Sequence, residues 1–234
     1  MSSLPTRESE PRSGKTERRL STNEHREYAF VLEKTKIQIQ YVFPDEKNGN
    51  QNIIIKFVDP VPGLWNLEIF GDLILYGVID LWMPISQFLT PGTAFLSTTT
   101  DETITIPSTA RNVIAVGAYD HVDGSIYLSS GRGDSSNARS KPNFVAPGVE
   151  VSGIYPRNLE GEMTGTGVAS AIAAGASALL LEWGISQKND LRMNSTRIRS
   201  YMIIGCSQNK NVNYPNEIWG YGAINLLETF KRIR

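Results

Sequence analysis

Cysteine is nearly absent: Cys206 is the one such residue in a chain of 234. No internal disulfide can therefore staple the fold, a usage in keeping with a reducing compartment. Histidine is almost as scarce, with His25 and His121 alone. Candidates for a general base are thus few, and no Cys/His cluster has metal-ligand spacing. No Gly-rich phosphate loop occurs. An excess of either charge is also missing, with 23 basic residues against 24 acidic and a net charge of -1. Nothing in that balance attracts a polyanion, which argues against a nucleic-acid partner. The most apolar stretch, Ala169 to Leu181, is too short to cross a bilayer and is rich in small residues, so no membrane partner is expected. Residues 1–20 hold no apolar segment of the kind a signal peptide needs. Internal repeats are absent.

What is present is enough apolar residue, 40% of the chain, to build a core. Residues 1–26 contribute little to it. They are Ser, Glu, Arg and Pro with almost no branched apolar or aromatic side chains, and they read as a disordered tail. From Tyr28 to Met83 the pattern is β. Ile37, Ile39, Tyr41 and Phe43 alternate with polar residues, and the Asn48-Gly49 turn separates them from Ile53 to Val58. Further strands are expected over Leu64 to Phe70 and Leu73 to Trp82, and short strands at this spacing point to a partial β-sandwich or jelly roll. The character changes after about Thr103. A short alternating strand, Thr103 to Ile106, precedes the apolar run Val113 to Ala118 (VIAVGA), which suits a strand buried on both faces of a parallel sheet. Phe144 to Gly148 and Val149 to Ile154 form the next strands. Helices are expected over Val168 to Trp183, from Ser195 or Thr196 to Ile204, and over Ala223 to Arg232.

Four stretches of this second region resemble one family in order and spacing. They are Arg111 to Asp120 (RNVIAVGAYD), Lys141 to Val149 (KPNFVAPGV), Thr164 to Leu181 (TGTGVASAIAAGASALLL) and Gly220 to Leu226 (GYGAINL). Together they resemble the later segments of the subtilisin-like (S8) serine peptidases, including the G-T-S-x-A motif that carries the nucleophile. The preceding β region, through PGLWNLEIFGD and DLWMP, resembles the jelly-roll insertion of the clostridial germination-protease branch. The resemblance implies an α/β fold: the C-terminal half of a doubly wound parallel sheet, preceded by part of that insertion. The implied domains are the tail at 1–26, a partial jelly roll at 27–95 and the C-terminal half of a peptidase domain at 96–234.

The same resemblance implies that the chemistry is gone. Gly167 stands at the serine nucleophile position, and glycine offers no oxygen to attack a carbonyl. In subtilisin, a relative by this resemblance, removing the serine alone costs about 10⁶ in turnover. Ser170 lies almost a turn further along the helix and is expected to point away from the former attack point, and adjacent Thr166 is expected to be turned elsewhere. The family's Asp and His precede the serine, in a half of the sheet that this chain is expected not to contain. The oxyanion asparagine belongs upstream as well. His25 falls in the tail and His121 in a solvated turn, so neither is expected to act as the base. Cys206 reads as a packed thiol. Arg132-Gly133-Asp134 is a tripeptide that recurs by chance, and Asp120, Asp123 and Asp134 read as loop carboxylates with weak support for calcium.

The expected function is therefore that of a serine endopeptidase by family, degenerate and inactive in this chain, with no cofactor. The alternative is a non-catalytic pseudoprotease module that binds a partner protease or the missing N-terminal half. The partner would be a separate chain carrying that half, or a related protease. The location implied by the germination-protease resemblance is cytoplasmic or spore-associated. An active endopeptidase completed by a partner is disfavoured, because no partner supplies a missing nucleophile.

Overall fold

A computed structural model describes residues 25–233 apart from 31–33, 47–48, 72–73, 75–76 and 134–140. The chain divides into two units, Met1–Thr98 and Thr99–Arg234.

In the first unit the alternation of apolar and polar residues produces three antiparallel strands in the order β1-β2-β3: β1 (His25–Phe30), β2 (Thr35–Val42) and β3 (Asn52–Val58). Register places Tyr28 beside Ile37 and Ile37 beside Phe57, Ile39 beside Ile55, and Tyr41 beside Ile53, all on one face. Glu27, Gln38 and Lys56 share the other face. Trp65 closes one end of the apolar face, its ring 6.0 Å from Phe30 and 5.3 Å from Phe57. The buried Thr35 hydroxyl donates to the Asp59 carbonyl and accepts from the Val61 N–H, which fastens the Pro-rich turn to the sheet.

Two expectations fail here. His25 and Arg26, assigned to the tail, pair with Gln40 and Ile39 as the first residues of β1. The rest of that tail lies outside the described residues. Leu64 to Phe70 and the described part of Leu73 to Trp82 are not strands. Alternation alone does not make a strand, because its peptide groups need a ladder partner. None of the three strands pairs with this segment, and Phe70, Val78 and Trp82 are exposed.

The second unit is built on a parallel pair, β4 (Val116–Tyr119) and β5 (Phe144–Pro147), with Val116 opposite Phe144 and Tyr119 opposite Pro147. The strand expected from Val113 starts later. Ahead of it, Ala115 is bound by Asn143, whose side-chain oxygen accepts the Ala115 N–H at 2.9 Å and whose own N–H donates to Ala115 O at 2.7 Å. On its far side β5 is joined to residues 222–224, Val145 donating to Gly222 O and accepting from Ile224 N. Thr103 to Ile106 forms no strand. Instead the Thr103 N–H donates to the Arg132 carbonyl, and its hydroxyl accepts from the Arg132 N–H. β6 (Val151–Tyr155) and β7 (Leu159–Met163) make an antiparallel hairpin. The sequence LEGEM hides β7, since it lacks the apolar alternation that marks a strand.

Three helices follow: α1 (Thr166–Leu181), α2 (Ser195–Gly205) and α3 (Leu226–Ile233). α1 turns Ala169, Ala173, Ala176 and Leu180 inward at helical spacing and packs on β4 and β5. Alanine at three of these positions lets the helix axis lie near the strands. The main core gathers Phe144, Leu180, Met193, Ile198 and Met202 with Cys206. α1 runs on through a π-helical turn, Glu182–Ser186, which makes an apolar helix of 21 residues. By length and composition that helix could cross a bilayer, where Ala169 to Leu181 alone could not. Its inner face is instead occupied by the sheet. The N-cap of α2 is Asn194, accepting from Arg197 N at 3.0 Å. Arg197 Nε also lies 2.7 Å from Asp190 Oδ2. The Tyr201 hydroxyl donates to that same oxygen and holds the Asp190 carboxyl below its ordinary range.

Deleting the Phe144 ring should open a cavity between sheet and helices. Phe144→Ala is expected to cost about 3–5 kcal/mol, read as a lowered urea midpoint. Gly175, exposed in mid-α1, has no atom within 4 Å of where a Cβ would stand. Gly175→Ala should raise stability by about 0.8–1 kcal/mol in the same assay. Burial pushes the Cys206 thiol from 9.0 up to about 12. Its stabilising contribution is therefore complete below about pH 9 and is lost as pH rises toward 12. The thiol should resist iodoacetamide at pH 8 in the folded chain and react after unfolding.

Candidate active site

The start of α1 is fixed by contacts between two glycine-bearing loops. Gly165 N donates to Gly148 O at 2.7 Å, and Thr164 Oγ1 accepts from Glu150 N at 2.9 Å. Gly165 has φ of +148°, which side chains rarely adopt. A Cβ on Gly148 would stand 2.7 Å from the Ala118 Cβ and 3.0 Å from Gly165 O. Both glycines are therefore demanded by geometry. Gly165 O then accepts from Val168 N at 3.1 Å and Ala169 N at 3.4 Å, closing the first turn. The N–H groups of Thr166 and Gly167 precede these bonds. Among the described residues they have no backbone acceptor, and they sit at the positive end of the helix.

Gly167 differs from its neighbours. Its φ lies outside the left-handed region, it is exposed, and a Cβ built on it would meet nothing within 4 Å. The fold does not require glycine there, and a hydroxymethyl group would fit. Ser170 is exposed three residues further along α1. Thr166 faces a cleft of about 410 Å³, lined among others by Thr103, Thr105, Val116, Ser130 and Arg132. Ser130 is buried there, and its Oγ accepts the Ala118 N–H at 3.0 Å. The cleft offers hydroxyls and one guanidinium, with no carboxylate or histidine among its lining residues.

Among the described residues no histidine or carboxylate lines the cleft that Thr166 faces. His121 is exposed in the turn after β4, where Asp120 Oδ1 accepts from Val122 N and Asp123 Oδ1 from Ser125 N. These bonds from Ser125 hold the Asp123 carboxyl below its ordinary range. His25 belongs to the other unit, in β1. Among the described residues no three of His, Cys, Asp and Glu cluster as a metal site, and Asp134 lies outside them. Cys206 is buried and donates to Met202 O. Of the Arg-Gly-Asp tripeptide, Gly133 is tied by its N–H to Glu217 O at 2.9 Å, and a Cβ on it would collide with Lys141 O.

One contact went unread in the sequence. The Lys141 ammonium donates to the carbonyls of Ser108 and Ala110, joining the 106–111 loop to the approach to β5. A lysine before proline carries no sign of that role. Such a site is legible only when both loops are in place.

The sequence pattern of the subtilase family matches residues 90–222. Subtilisin DY of Bacillus licheniformis is 36% identical over 85 residues, 36% of this chain and 28% of its own length. Serine protease AprX of Bacillus subtilis is 30% identical over 144 residues, 53% of this chain and 31% of its own. The CspB protease of Clostridium perfringens superposes with a TM-score of 0.75 at 26% identity, covering 91% of this chain and 45% of CspB. The chain thus spans less than half the length of each of these relatives. With the family pattern lying across the β4–β5 pair, the glycine-locked loops and α1, the chain belongs to the subtilase family.

Proposed function

We propose that this chain is a non-catalytic subtilase module, a serine endopeptidase by descent whose nucleophile position is held by Gly167. The observation that carries this reading is the contrast at the start of α1. The supports of a nucleophile are kept, namely the glycine lock and the unpaired N–H groups at the helix start. The one atom that would attack a carbonyl is not. Without an oxygen no acyl-enzyme can form, and an oxyanion site without a nucleophile gives only residual catalysis. No histidine lines the cleft that Thr166 faces.

The likeness to CspB extends over 91% of the chain, more than the later peptidase segments alone would account for. It supports placing the chain in the clostridial germination-protease branch, with a spore-associated or cytoplasmic location. It also supports reading β1–β3 as part of a jelly-roll insertion over residues 27–95, ahead of a peptidase portion over 96–234. The half-covered apolar face of β1–β3 fits a sandwich whose second layer is supplied elsewhere. In this reading the module acts by binding, its partner being the remaining subtilase half or a related protease. The second reading, a relic without a role, predicts a chain that stays insoluble whatever accompanies it.

A fluorophosphonate probe should leave the purified chain unlabelled, and a fluorogenic peptide set should show no turnover above buffer. Gly167→Ser alone should fold, because space is open there, and should still show no burst of acylation for want of a base. Stoichiometric labelling of the unaltered chain would overturn the non-catalytic reading.

A further inference from the structure

The charges of the second unit are divided by position. Acidic residues outnumber basic ones from 99 to 187, and basic residues outnumber acidic ones from Lys188 onward. The fold gathers the two excesses on separate surfaces.

The basic surface is the α2–α3 pair. Arg111 and Arg192 are exposed beside α2, Arg199 is half-buried on it, and Arg232 is exposed on α3. Arg199 Nη1 donates to Arg111 O at 3.4 Å, and Arg232 Nη1 donates to Ile204 O at 2.8 Å. Neutral carbonyls thus hold both guanidiniums against the helices. Among the described residues no ion pair joins any of these four arginines to a carboxylate. Two aliphatic side chains stand on the same helices, Ile204 48% exposed and Leu227 67% exposed.

The acidic surface is the β6–β7 hairpin. Its register sets Ile154 opposite Glu160 and Ser152 opposite Glu162, so these four share one face. All four are exposed, and Ile154 is 78% exposed. The opposite face is covered by the hairpin's own side chains. There a Cβ on Gly161 would collide with the Tyr155 ring, and one on Gly153 with the end of Met163. Neither Glu160 nor Glu162 is ion-paired with a cation among the described residues.

Each surface therefore combines exposed aliphatic area with charge of a single sign, and the signs are opposite. Burial of the aliphatics supplies the drive for contact, and the charges set partner and register. Within one chain no ion pair joins the hairpin glutamates to the arginines of the helix pair. An anionic membrane or a nucleic acid would suit the helix pair and repel the hairpin. A second copy of the chain satisfies both surfaces at once.

We infer that the chain associates with its own copies, the Ile154–Glu160–Glu162 face of one copy docking on the α2–α3 face around Arg199 and Arg232 of the next. This goes beyond the proposed function. Neither surface includes Gly167 or the cleft that Thr166 faces, so the failure of either claim leaves the other standing.

The test is sedimentation velocity of the full chain, carried on a monomeric solubility tag, in about 0.1 M and about 1 M salt. Between these the screening length falls from about 10 Å to about 3 Å. Reversible self-association is expected, weakened at least tenfold at the higher salt. Two double variants should each sediment as monomers: Glu160→Lys with Glu162→Lys, and Arg199→Glu with Arg232→Glu. Mixed in equal amounts they should associate again, because each offers the other surfaces of opposite sign. A fold lost to substitution could not give that recovery. A chain that is monomeric at both salt levels overturns the inference, whatever anionic vesicles or nucleic acid it binds. Association that ignores salt, or that survives either double variant, also overturns it. So does a mixture of the two variants that stays monomeric.

Discussion

The contact between Gly148 and Gly165 is the constraint on which the second unit depends. The 2.7 Å hydrogen bond from Gly165 N to Gly148 O joins the end of β5 to the start of α1. No Cβ can be tolerated on Gly148, because Ala118 of β4 lies against it. One small volume therefore sets the spacing of β4, β5 and α1 together. The inward alanines of α1 continue that spacing along the strands, and Phe144 and Leu180 fill the space where the layers separate. A helix N-terminus carries partial positive charge. Gly167 stands there in open space, so the fold places no demand on it, whereas Gly148 is held by close contact and Gly165 by its backbone conformation.

The sequence was most legible where local and tertiary demands coincide. α1 and α2 lie close to their expected positions, and Asn194, not singled out in the sequence, caps α2. Phe144 to Pro147 is a strand because its apolar run is buried on both faces. Legibility failed where a strand's existence depended on a partner. Leu64 to Trp82 has strand-like composition and pairs with none of β1–β3. β7 has polar composition and is a strand because β6 lies beside it. His25 looked like tail because its own neighbourhood is polar, and it becomes strand through Gln40 across the ladder.

The candidate site divides in the same way. In the sequence the glycines of APG and TGTG carry only the family resemblance; that Gly148 is a close-approach position is visible only in the fold. That Gly167 has room for a side chain could not be read, since sequence does not distinguish a glycine forced by contact from one standing in open space. The cleft at Val116 is made by Thr99, Thr100, residues 103–105, 128–132 and Thr166, which are brought together only by folding.

The loop around Ser108 and Ala110 is gathered by the ammonium group of Lys141, which the chain carries with it. A charge attached to the backbone is present at a fixed local concentration, however dilute the solution. That fastening cannot be dialysed away or stripped by a chelator. It lasts as long as the peptide that bears it is intact.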